Sequence, residues 1–105
     1  MKNEYGVDLD RNGYAPSIMN RQQGCYVCLR QLTTERHEIF HGTANRTKSK
    51  NYGLWVDLCH ACHTIVHNGD GSLDRMLKED GQHEAMDYYN WTVADFRKRF
   101  GKNYL

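Results

Sequence analysis

The chain has 105 residues, 39% hydrophobic and 26% charged, with a net charge of +1 and a mean hydropathy of −0.85. So short and polar a chain predicts one domain with a modest core that a metal staple would reinforce, and no apolar run approaches the ~20 residues of a membrane helix. Near-neutral charge argues neither for nor against a nucleic-acid partner, and with no charged-then-apolar leader the expected location is cytoplasmic.

Residues 1–22 read as an N-terminal arm, extended or a short strand, punctuated by Gly6, Gly13 and Pro16 and fixed only by docking or dimerisation. Asp8, Asp10, Asn12 and Gly13 imitate the opening of an EF-hand loop, but the closing bidentate Glu falls on Met19, so calcium is set aside. The core, residues 23–70, opens on a tight knuckle, Cys25-Tyr-Val-Cys28. Glu35 to Phe40 reads as a short strand and Gly42 to Tyr52 as a loop. Leu54-Trp-Val-Asp-Leu58, apolar and β-favouring, is the best strand of the chain. A helix fits Cys59 to His67, ended by Asn68-Gly-Asp-Gly71. In the helical extension, residues 71–105, Ser72 caps a helix carrying Leu73, Met76 and Leu77, which Gly81 interrupts or ends before a further helical stretch from Gln82 to Tyr89. Thr92-Val-Ala-Asp95 then opens a short helix with Val93, Phe96 and Phe100 on one side and Gly101 as its stop.

The four cysteines form two C-x-x-C pairs, Cys25/Cys28 and Cys59/Cys62, a spacing that closes a thiolate tetrahedron around a structural Zn²⁺. Without an export leader, such a set points to metal rather than disulfides, and a thioredoxin-like reading wants a single C-x-x-C beside a βαβ pattern. His63 and His67 stand four apart and share a helix face. The strand bearing His37 can pack beside that helix, so three imidazoles converge on a second divalent cation and leave coordination positions open. Arg46, Lys48 and Lys50 occur between residues 44 and 52 with no acid among them. They suit phosphate contacts, and equally an ordinary solvated loop.

The string Cys25-x-x-Cys28, His37-Glu38-Ile39, Leu54-Trp-Val-Asp-Leu-Cys59-x-x-Cys62-His63-x-x-x-His67 resembles the HNH endonucleases, in their small phage-associated form with four zinc-binding cysteines. The closing Phe-Gly-Lys-Asn-Tyr-Leu resembles the tails of such phage proteins. The resemblance implies an α+β fold: a zinc-stapled ββα-metal core with C-terminal helices. It also implies a phage- or prophage-derived enzyme that hydrolyses phosphodiester bonds in DNA with Mg²⁺, Mn²⁺ or Zn²⁺ at the active site. His37, His63 and His67 fall on the metal positions and Glu38 on the base position, which is a departure, since the family usually has His there. His37 and His41 are the competing bases, and Arg36 or Arg46 would neutralise the scissile phosphate. A second departure puts Leu54 where the family has its bracing Asn, with Asn45 and Asn51 as candidate substitutes. His60 and His83 carry no assigned role. Two rivals stand beside the nuclease, which would act as monomer or homodimer: a zinc-binding DNA adaptor that has lost cleavage, and a protein-interaction module working through the aromatic C-terminal helices.

Overall fold

In the computed structural model, which describes all of residues 1–105, strand pairing begins at Thr34. Strand β1 (Thr34–Glu38) lies antiparallel to β2 (Trp55–Cys59) after an intervening helix α1 (Thr43–Asn51), with Thr34 opposite Cys59 and Glu38 opposite Trp55. Helix α2 (His60–Asn68) follows β2 without a break, so two strands and a helix form one unit. Helices α3 (Ser72–Tyr89) and α4 (Val93–Phe100) complete an α+β fold. No helix is long and apolar enough to cross a membrane.

The existence of α1 corrects the loop expected between Gly42 and Tyr52. Its residues, Thr-Ala-Asn-Arg-Thr-Lys-Ser-Lys-Asn, offer no apolar stripe, and the buried member is Ser49. Tertiary contacts hold it instead. Ser49 Oγ accepts the Phe40 N–H at 3.0 Å and donates to the Phe40 carbonyl at 2.9 Å, all within the interior. Lys48 and Lys50 in the last turn suit the negative end of the helix dipole, and Lys48 Nζ donates to the Arg99 carbonyl at 2.5 Å.

The second correction concerns α3, a single helix of 18 residues that runs straight through Gly81. Glycine costs a helix interior about 1 kcal/mol against alanine, so its presence needs a reason. A Cβ there would stand 2.8 Å from Ile39 Cγ2 and 3.2 Å from Phe40 Cε2. Close approach to the segment after β1 is what the glycine permits. Ser72 is not the cap either: Gly71 holds that position in left-handed conformation, and the Ser72 N–H and hydroxyl both donate to Asp70 Oδ1. Helix α4 follows expectation, with Thr92 and Asp95 forming a reciprocal capping box and Gly101 left-handed at its end.

Phe40 is the centre of the core. Its ring lies 5.2 Å from Phe96, 4.8 Å from Phe100 and 5.0 Å from Tyr104. Leu54, Val56, Leu58, Leu77 and Ala85 close around it, each fully buried. Leu54 belongs to this core, where burying such a side chain stabilises by about 1.5–3 kcal/mol. Gln82, also fully buried, donates to Asn103 Oδ1 at 2.8 Å and accepts the Tyr104 N–H at 2.7 Å, which ties residues 103–104 to α3.

The arm is built into its own chain rather than awaiting a partner. Ala15 and Ile18 N–H groups donate to the carbonyls of Lys50 and Gly53, and Trp55 Nε1 donates to the Ala15 carbonyl at 2.8 Å. Met19 is buried in the core. The EF-hand-like stretch is a turn in which Asp10 Oδ1 accepts the N–H groups of Asn12 and Tyr14.

Candidate metal centres and the cleft between them

The first cysteine pair sits on a bend that needs unusual backbone. Gly24 is at φ 93°, and a Cβ there would meet the Arg30 carbonyl oxygen at 2.5 Å. Leu29 is also left-handed, and the Cys25 N–H donates to Arg30 at 3.0 Å. The second pair needs no bend: Cys59 ends β2 and caps α2, and Cys62 lies in the first turn of that helix. All four Sγ atoms lie within 4.8 Å of one another. Cys28 Sγ and Cys59 Sγ are 3.8 Å apart, which is the edge of a tetrahedron with bonds of about 2.3 Å.

The four thiols influence one another strongly. Burial opposes ionisation of Cys25, yet N–H groups of Cys28, Cys59 and Val27 hold it down to about 6. Burial and the neighbouring cysteines push Cys62 up to about 12. Four thiolates cannot coexist here without positive charge between them, so the cluster is one that could hold a metal ion such as zinc.

The second cluster is made of imidazoles. His37 faces inward from β1, while His63 and His67 stand one turn apart on α2. Their ring centroids are 5.3, 5.4 and 4.9 Å apart, and one nitrogen from each lies within 4.8 Å of the others. His37 is 3% exposed, and its Nε2 has no hydrogen-bond partner. Burial first, then the neighbouring histidines, pushes its pKa down to about 4, so the ring is neutral with a free lone pair. A buried lone pair without a partner, beside two further imidazoles, fits a divalent cation.

Glu35, which carried no expectation, orients this set. Its carboxylate meets His63 Nδ1 at 2.7 Å and His60 Nδ1 at 3.1 Å. Receiving the Nδ1 proton of His63 leaves Nε2 free as a ligand, the usual outer partner of a metal-binding histidine. His60 thereby gains a role as the second donor to Glu35. The contact spans 28 residues between strand and helix, and nothing in a linear reading marks it.

A cleft of about 200 Å³ opens over the imidazoles, lined by Arg36, His37, Glu38, His41, Arg46, His63 and His67 with no hydrophobic residue. A larger one, about 460 Å³ between the arm and α3, contains none of these histidines. His37 and Glu38 share the cleft because β1 ends at Glu38. Glu38 Oε2 accepts from the Tyr14 hydroxyl at 2.9 Å, and Oε1 lies 3.5 Å from Arg46 Nε. His41 joins the imidazole group, 5.7 Å from His37, and its Nε2 meets Asp74 Oδ1 at 3.1 Å.

The basic residues divide. Arg46 lines the cleft; Arg36 lines it too, its guanidinium lying 4.2 Å over Trp55 and 4.7 Å over Tyr14. Lys50 Nζ also lies over Tyr14, 4.8 Å from its ring centre. Lys48 stands apart. On a helix it points away from Arg46 and Lys50, and its ammonium is held at α4 in a separate cleft with Glu4 and Lys98. Neither candidate Asn braces the site: Asn45 Nδ2 donates to the Phe100 carbonyl at 3.4 Å, and the Asn51 carbonyl accepts from Asn3. Ser49 does the bracing, through both backbone groups of Phe40.

Compared with known proteins, the chain matches no family model, no curated sequence and no solved structure.

Proposed function

We propose that this chain is a metal-dependent endonuclease of HNH type that hydrolyses phosphodiester bonds in DNA. The observation that carries the reading is the convergence of His37, His63 and His67 beneath two guanidinium groups in one wholly polar cleft. A divalent cation held by these imidazoles (Mg²⁺, Mn²⁺ or Zn²⁺) would supply Lewis-acid stabilisation of the charge that develops on the leaving oxygen.

The residues of the chain do the rest. Arg46 and Arg36 give the scissile phosphate a bidentate partner at the cleft wall. Lys50 extends that positive strip past Tyr14. Arg46 is also the ion-pair partner of Glu38, so a phosphate that recruits Arg46 releases one carboxylate oxygen. Tyr14 continues to hold the other oxygen and fixes the carboxylate plane. Glu38 is then the general base that takes a proton from the attacking water, and His41 is the next candidate. Glu35 keeps His63 in its ligand tautomer. The cysteine cluster supplies rigidity at the junction of β2 and α2, from which two of the imidazoles project.

The rival is a zinc-stabilised DNA adaptor. One observation favours it: both oxygens of Glu38 are already engaged, by Tyr14 and by Arg46. Plasmid cleavage with Mg²⁺, Mn²⁺ or Zn²⁺ decides between them. On the nuclease reading, His63→Ala abolishes cleavage with the cysteine-bound metal retained, and Glu38→Gln lowers the rate by about 10²–10⁴ with cation affinity little changed. Full activity in Glu38→Gln moves the base role to His41. DNA binding without cleavage under every cation establishes the adaptor.

A further inference from the structure

The three ligand positions on β1 and α2 leave two side chains unexplained. His41 follows β1, and Asp74 projects from the first turn of α3, outside the strand–strand–helix unit. Each brings one donor atom within 4.8 Å of the other and of His37. His37 thus belongs to two overlapping sets of three donors, one with His63 and His67, the other with His41 and Asp74. Independently of that overlap, His37 is 3% exposed and its Nε2 is without a partner.

We propose that His37, His41 and Asp74 form a second position for a divalent transition-metal ion, adjacent to the first and in competition with it for His37. This deepens the reading of the cleft as a cation site and rests on that part of it alone.

The pair His41–Asp74 is already spaced as ligands of one ion. His41 Nε2 and Asp74 Oδ1 are 3.1 Å apart, and two donors with bonds of about 2.1 Å stand about 3.0–3.4 Å apart in octahedral or tetrahedral arrangements. Entry of the ion requires only that the ring proton of His41 sit on Nδ1. Asp74 is prepared as well: Lys78 Nζ holds Oδ2 at 2.9 Å, leaving Oδ1 on the side of His41. Two imidazoles and one carboxylate favour Zn²⁺, Co²⁺ or Ni²⁺ over the oxygen-seeking Mg²⁺ and Ca²⁺. With Nε2, its buried nitrogen without a partner, as the donor to both positions, His37 serves one ion at a time. The two positions are alternatives, and the ion can shift between the His63–His67 and the His41–Asp74 donors while His37 holds it.

The test reads binding, not cleavage. Protein whose cysteine cluster is filled with zinc is titrated with Co²⁺ by calorimetry and visible absorption, where the absence of a thiolate-to-cobalt band shows that the cysteines keep their zinc. The wild type takes up one equivalent. His63→Ala/His67→Ala, which removes the first position, still takes up one, and adding Asp74→Asn abolishes that uptake. No cobalt uptake by the double variant, with zinc content and circular dichroism of the wild type, overturns the proposal. Two equivalents in the wild type, or undiminished uptake after Asp74→Asn, overturn it equally. His67 is exposed and His63 half-buried, and His63→Gln/His67→Gln replaces the alanine pair if that loses zinc. A chain that passes this test and cuts no DNA retains the second position and loses the nuclease.

Discussion

Ser49→Ala removes one oxygen atom and leaves two interior backbone groups without their partner. In the wild type the hydroxyl accepts the Phe40 N–H at 3.0 Å and donates to the Phe40 carbonyl at 2.9 Å, and both residues are at most 1% exposed. A buried polar group stripped of its bond costs about 1–3 kcal/mol. Two such groups, with some relaxation of the Phe40 segment, amount to about 2–4 kcal/mol. A domain of this size has about 5–15 kcal/mol in all, so the loss is a large share. Urea denaturation with zinc in fixed excess should show it as a midpoint lowered by about 1–4 M, for a slope of about 1–2 kcal/mol/M. The same change loosens the segment between Glu38 and His41, so cation affinity at the imidazoles should fall tenfold or more, as for outer partners of metal ligands (about 10–100-fold). Stability within about 0.5 kcal/mol of the wild type, the usual range of a neutral surface change, together with unchanged cation affinity, would refute the bracing role.

Gly81→Ala should destabilise although alanine is the better helix former. The helix gains about 1 kcal/mol, but a Cβ 2.8 Å from Ile39 Cγ2 overpacks a stiff, buried β-branched residue at a cost of about 2–3 kcal/mol. A net loss of about 1–2 kcal/mol in denaturant melts is expected; equal or higher stability would show that α3 packs more loosely on β1. Cys59→Ser, or a strong chelator on the wild type, should unfold the protein, because metal-binding energy is folding energy in such sites. Metal analysis with circular dichroism checks it, and a metal-free variant with an unchanged Tm would contradict it. In DNA binding, Arg46→Gln with Lys50→Gln should flatten the plot of log affinity against log salt by about two contacts' worth, roughly 0.9 each. Lys48→Gln should leave the slope alone; a Lys48 effect equal to that of Arg46 would return all three to one common surface.

What could be read along the chain was whatever depends on near neighbours. The cysteine spacing, the apolar run of β2, the capping box at Thr92 and Asp95 and the glycine at 101 each announce themselves within a few residues. Helix α1 did not, because its only buried side chain is a serine whose partners are backbone groups of Phe40. The continuity of α3 was hidden for a related reason. Gly81 reads as a breaker in one dimension and as a point of contact with Ile39 in three. The histidine triad was legible because helical spacing fixes two of its members. Glu35 with His63 and His41 with Asp74 were not, being bonds across 28 and 33 residues between different elements. The division of the basic run was not legible either, because only its fold as a helix sends Lys48 the other way.

The packing of Phe40 sets an order of events during synthesis. Every ligand of the cysteine cluster has been made once Cys62 is added, whereas the rings that cover Phe40 arrive with Phe96, Phe100 and Tyr104. Contacts so distant along the chain form late. A nascent chain therefore holds all four thiols of the cluster before the rings that cover Phe40 exist. The segment from His37 to His41 gains the packing of its Phe40 only when the last helix and the tail bound through Gln82 have been made. A metal that filled the cysteine cluster would therefore mark the beginning of folding, and closure of the aromatic core its completion.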